Sequence, residues 1–71
     1  MRWDDLKYAL AVFRKGSFSG AADLLHVTHT TVSRRVRTLE ERLGSKLFLR
    51  TDVGFVPTTA GLELLQTAAK M

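Results

Sequence analysis

The sequence predicts a mainly α domain with one small β-hairpin, and three observations carry that expectation. Val32, Val36, Leu39 and Leu43 recur at i, i+4, i+7 and i+11, one apolar stripe at helical period. Leu6, Leu10 and Phe13 repeat the pattern near the N-terminus, with Ala9 beside them. Downstream, Lys46-Leu47-Phe48-Leu49-Arg50 and Phe55-Val56 flank Thr51-Asp52-Val53-Gly54, which reads as two short strands around a glycine-bearing turn. Seventy-one residues hold one domain with a small core.

The first helix spans Trp3 to Arg14. Asp4 or Asp5 suits its positive N-terminal end, and Gly16 follows its last turn. Trp3, Tyr8, Phe13 and Phe18 read as packing residues, since no single-strand groove pattern surrounds them.

A second, short helix carries Ala21, Ala22, Leu24 and Leu25, with Ser19 placed as its N-cap. His26-Val27-Thr28 then break the helical pattern. His26 falls where the backbone turns left-handed, a conformation His tolerates better than most residues. Val27 plugs the corner, and Thr28 caps the next helix. Two helices joined by so short a turn form a helix-turn-helix, here over residues 18–37.

The third helix, residues 29–43, sets its Val32–Leu43 stripe inward. At about 100° per residue, Thr30, Arg34, Arg37 and Glu41 then point outward. Thr31 and Thr38 lie on one flank and Ser33 on the other. Taken alone, this could be any amphipathic helix with a solvated charged face. The placement of charge argues further. Thr28 to Arg50 holds six basic residues (Arg34, Arg35, Arg37, Arg42, Lys46, Arg50) and two acidic ones, the whole net charge of +4. The rest of the chain is neutral. A basic excess confined to one helix and the loop after it is the footprint of a phosphate-binding surface. Glu40 and Glu41 are expected farther out along the helix. Arg35, nearer the core edge, has Asp23, Glu40 or a phosphate as its available partners.

Gly44 is a natural stop for this helix. Pro57-Thr58-Thr59-Ala60-Gly61 opens a last helix, with Thr58 as N-cap. Leu62, Leu65, Ala68 and Ala69 form its apolar face, with Leu64 to one side.

Composition excludes several classes. The chain has no cysteine, hence no disulfide or thiolate metal site. No run approaches the roughly 18 to 20 apolar residues of a membrane span. His26 and His29 lie three apart across a turn without a third ligand, so no zinc site is expected. Gly16 and Gly20 do not make a phosphate loop. No residue cluster suggests turnover, so no enzyme and no cofactor are expected.

The run Gly16-Ser17-Phe18-Ser19, Ala21-Ala22, Leu25, Val27-Thr28, Val32-Ser33-Arg34, Val36, Leu39-Glu40, Leu43-Gly44, Lys46-Leu47-Phe48, Arg50, Thr58 and Ala60-Gly61 closely resembles one known pattern. It is that of the N-terminal winged helix-turn-helix domain of LysR-type transcriptional regulators. The resemblance implies a winged helix-turn-helix over residues 1–58, with a three-helix core and the hairpin, about residues 46–57, as its wing. It implies a cytoplasmic, nucleoid-associated regulator that reads the operator half-sites of double-stranded DNA with its third helix. Residues 59–71 would begin a linker helix, pairing two subunits through Leu62, Leu65, Ala68 and Ala69. The chain stops at Met71 without a terminating Gly or Pro, as expected of the DNA-binding part of a longer regulator. A small-molecule effector would act only through a domain outside this chain.

Residue by residue, the expected DNA contacts are Thr28, His29, Thr30, Thr31, Ser33, Arg34, Arg37, Lys46 and Arg50. His29, Thr30, Thr31, Ser33 and Arg34 are placed near base edges; Arg37, Lys46 and Arg50 are placed at phosphates. Two departures stand out. His29-Thr30-Thr31 replaces the family's Gln-Pro and small residue, and His29 can either contact a base or stand as a solvent-exposed turn residue. The wing tip carries no basic residue, which leaves Arg50 at its base as the expected contact. The alternative from another class is a winged-helix protein-interaction module without sequence-specific DNA binding.

Overall fold

A computed structural model describes residues 3–52 and 54–70. Val53, in the expected turn, and the side chain of Trp3, expected to pack, lie outside that description. The elements run α1 (Trp3–Lys15), α2 (Phe18–Leu25), α3 (His29–Leu43), β1 (Phe48–Thr51), β2 (Gly54–Pro57) and α4 (Thr59–Ala69).

Helix α1 is the central element, packed against α2, α3 and α4. Asp4 and Asp5 occupy its first turn and Arg14 and Lys15 its last, both favourable to the helix dipole. Leu6, Ala9 and Leu10 are buried as their spacing predicts, and Phe13 is half-buried. Ala11 and Val12 are buried as well. A one-stripe reading misses them because α1 is covered on more than one side, and Ala11 shares a crevice with Ala68 of α4.

The cap of α2 is Ser17 rather than Ser19: its hydroxyl accepts from the Gly20 N–H at 2.9 Å. The buried ring of Phe18 starts the helix two residues earlier, which leaves Ser19 exposed in the first turn. At the other end His26 is left-handed, φ 58° and ψ 44°. The Val27 N–H reaches the Ala22 carbonyl at 3.0 Å and the His26 N–H reaches that of Asp23 at 3.4 Å. This closes the helix with the paired bonds usually built on glycine. Helix α3 starts on Thr28, whose hydroxyl accepts from the Thr31 N–H at 3.1 Å. Such a cap contributes about 1 kcal/mol. Gly44, at φ 70°, ends α3 by donating to the Glu40 carbonyl.

Val32, Val36 and Leu39 are buried, but Leu43 is 39% exposed. The stripe outlasts the core: Glu41, Arg42 and Leu43, the end of α3, are all exposed. Glu40 does not reach out to solvent with Glu41. Its carboxylate accepts from the backbone N–H groups of Leu47 (2.7 Å) and Phe48 (3.4 Å), pinning the chain as it leaves α3 for the hairpin.

Strands β1 and β2 pair antiparallel, Phe48 opposite Pro57, Leu49 opposite Val56, Arg50 opposite Phe55 and Thr51 opposite Gly54. Residues directly opposite share a face. Phe48, Arg50 and Phe55 therefore face the helices, while Leu49 and Val56 face outward, 54% and 37% exposed.

Helix α4 is fastened to the base of this hairpin. The Thr58 hydroxyl caps α4 by accepting from the Gly61 N–H at 3.0 Å and donates to the Lys46 carbonyl at 2.6 Å. The Thr58 N–H donates to the Leu47 carbonyl at 2.9 Å. Gly61 is buried, and a Cβ there would run into that same carbonyl oxygen. Leu65 and Ala68, expected on a dimerising face, lie instead in this chain's own core at 0% and 5% exposure. Their turn of α4 is the one laid against α1. Leu62 and Ala69 are exposed.

Gly61→Ala should therefore lower stability by about 1–3 kcal/mol, as overpacking does. Thermal and urea unfolding would read it; a variant as stable as the parent would show that the helix–hairpin contact has slack.

Candidate nucleic-acid interface

The turn and its caps present α3 at the surface with its N-terminal half uncovered. Thr30, Arg34 and Arg37 are exposed on its outward face, as their angular positions predict, and so is His29. Ser33 and Thr31 are half-buried on opposite flanks. His29, Thr30, Ser33, Arg34 and Arg37 share one shallow depression of about 320 Å³.

A second groove, about 400 Å³, runs between α3 and the hairpin. His29, Ser33, Arg37, Lys46 and Arg50 line it over a floor that includes Phe18, Phe48 and Phe55. The structure thus gathers three cations, from α3, the loop after it and β1, beside the two α3 residues on the hairpin flank. Glu40 also lines the groove, its carboxylate engaged by the Leu47 and Phe48 amides. Such a groove suits a polyanionic strand: cations at its edge, apolar rings beneath and no unengaged carboxylate among its lining residues.

Not every expected contact is free to serve. The Thr28 hydroxyl is taken up as cap and lies 2.9 Å from the Thr31 hydroxyl. These two hydroxyls form a local pair away from the groove. The Thr38 hydroxyl donates to the Arg34 carbonyl at 3.0 Å.

Arg34 and Arg35 are adjacent but have different surroundings. Arg34 stands in solvent. The partner of Arg35 is neither Asp23 nor Glu40 but Asp5 of α1, whose carboxylate is 3.5 Å from the guanidinium. Asp5 is 1% exposed. The Arg35 guanidinium also lies 5.7 Å from the Tyr8 ring centre, and its Nε is buried without a partner among the described residues. Asp5 thus acts less as a helix-end charge than as a buried anchor for α3. Its position beside the Leu6 stripe carried that signal, but spacing alone does not reveal which cation meets it.

Sequence reasoning missed the aromatic floor as a site feature. Spacing alone presents Phe55 only as a strand residue and Phe18 only as packing. The hairpin register, which places Phe55 opposite Arg50, was the information lacking.

The comparisons with known proteins bear on this surface. The model of the "bacterial regulatory helix-turn-helix protein, lysR family" matches residues 3–62. The chain belongs to the LysR family. It is 44% identical over all 71 residues to the HTH-type transcriptional regulator YofA of Bacillus velezensis. It shows the same identity over the same length to the Mau operon transcriptional activator of Paracoccus denitrificans. In both cases the chain spans 25% of the relative's length. Among solved structures, the CbnR DNA-binding domain in complex with DNA matches at TM-score 0.90 and 36% identity, over 99% of this chain and 80% of that one. The BenM DNA-binding domain with the benA site 1 DNA matches at TM-score 0.92 and 36% identity, over 99% and 79%. This LysR-family chain has the fold of those domains, a winged helix-turn-helix.

Arg35→Ala should destabilise the domain by about 1–3 kcal/mol, because it leaves Asp5 buried without its charged partner. Combining it with Asp5→Ala should recover part of that loss, since removing both partners of a buried pair costs less than orphaning one. Urea denaturation of the two single variants and the double measures this, and strictly additive losses would show that the pair is not coupled.

Proposed function

We propose that this chain is the operator-reading domain of a transcription regulator and binds double-stranded DNA with α3 in the major groove. One observation carries the reading. The uncovered half of α3 and the base of the hairpin hold Arg37, Lys46 and Arg50 around one groove with His29 and Ser33, and Arg34 lines the depression beside it. The named DNA complexes of structurally similar domains support it.

The division of labour follows from position. Arg37, Lys46 and Arg50 neutralise phosphates, which fixes register and orientation on the duplex. Arg34, Thr30, Ser33 and His29 approach base edges from the first turns of the helix. Thr28 and Thr31 contribute mainly by holding the helix start, and Arg35 by fixing α3 on α1. Two copies bind the half-sites of an approximately palindromic operator, paired through the exposed side of α4 that carries Leu62 and Ala69. Effector sensing and the remaining oligomer contacts belong to the three quarters of the relatives' length that this chain does not span.

A second reading, a protein-docking module, is favoured by the outward apolar pair Leu49 and Val56 on the wing. Salt separates the two, because an apolar contact is insensitive to it.

Selection of random duplexes on this domain should recover a defined motif. With three phosphates neutralised per copy, log affinity should fall against log salt with a slope of about −3. Sequence-indifferent recovery, or binding flat in salt, would overturn the operator reading. Arg34→Ala should weaken the selected site by about 1–3 kcal/mol and relax preference at one base position. An equal loss on all sequences would reassign Arg34 to phosphate.

A further inference from the structure

Four side chains form a continuous file from the wing to the start of the recognition helix. The Arg50 guanidinium lies 5.9 Å from the centre of the Phe55 ring. Phe55 stacks on Phe18, with ring centres 4.4 Å apart and planes 16° from parallel. Phe18 in turn meets the His29 ring at 5.6 Å with a 42° tilt. Phe48 closes on Phe18 edge-on, at 6.4 Å and 82°, and holds the middle of the file in place. Phe18 and Phe48 are buried, Phe55 is half-buried, and Arg50 and His29 are exposed at the two ends.

Burial alone does not require a ring at position 55, since a leucine would cover Phe18 too. What an aliphatic side chain lacks is a π face for the guanidinium. A long, exposed arginine must otherwise give up its rotamer freedom when it meets a phosphate. We propose that Phe55 is a positioning residue. It holds Arg50 over the groove and, through Phe18, ties the wing's phosphate contact to the orientation of the His29 ring. Wing and recognition helix then engage DNA as one unit, although no basic residue occupies the wing tip. The inference rests on the DNA-binding reading above.

The test uses the folded domain and its selected duplex, with binding measured across a salt series. Phe55→Leu should weaken binding about 2- to 5-fold, the size of an exposed cation–π contact. It should also reduce the salt slope toward that of Arg50→Ala, while Phe55→Tyr keeps both at parental values. The loss in the Phe55→Leu/Arg50→Ala double variant should be smaller than the product of the single losses. Should Phe55→Leu fail to fold, the pair Arg50→Ala and His29→Ala carries the test, their losses again falling short of multiplying.

Multiplying losses, or an unchanged slope in Phe55→Leu beside a reduced one in Arg50→Ala, would overturn the positioning role and leave DNA binding intact. If Arg50→Ala itself changes neither affinity nor slope, Arg50 touches no phosphate and both the positioning role and that part of the DNA reading fall.

Discussion

The carboxylate of Glu40 is the constraint on which the geometry of this domain depends. A short hairpin with one solvated face cannot orient itself, because two strands alone are marginal in water. Here its entry is fixed by two backbone amides donating to a single side chain from the recognition helix. Thr58 then secures the exit, and Gly61 lets α4 come close to the same stretch of backbone. Three elements meet at Lys46–Phe48 through hydrogen bonds and one missing Cβ. The wing's direction is thus set mainly at its base.

Much of this fold was legible in the residues because local chemistry and tertiary need agree. Thr28 and Thr58 cap where hydroxyls should, His26 turns left-handed where the break in pattern demands it, and Gly44 stops α3. The misreadings share a cause. Periodicity places Leu43 inward, residue type makes Ser19 a cap and the family resemblance gives Leu65 and Ala68 a pairing role, but what covers a helix is decided by its neighbours. Phe18 draws the cap of α2 toward the N-terminus, the end of α3 is left exposed, and α4 lies down on α1. The outward face of α3 was readable because solvent imposes no pairing on it. The Asp5–Arg35 pair and the Phe55–Arg50 register were not, since each joins positions whose proximity only the assembled chain defines.

Adjacent arginines show how one helix divides its work. Arg34 and Arg35 carry the same charge, yet a turn of about 100° separates a solvated cation from one held by a buried carboxylate and a tyrosine ring. Charge counting from sequence credits both to the phosphate surface. The structure assigns Arg35 to the attachment of α3 to α1. A recognition helix must be held as firmly as it is exposed, and some of its basic residues serve the holding.

The seating of α4 has a mechanical consequence. Its first turn is bonded to the hairpin base, and Leu65 and Ala68 one and two turns on are sunk in the core. Only Thr58 stands between the second wing strand and the last helix. Hairpin base, α4 and α1 are thereby fastened into one packed frame, with the wing mounted on it as a fixed part.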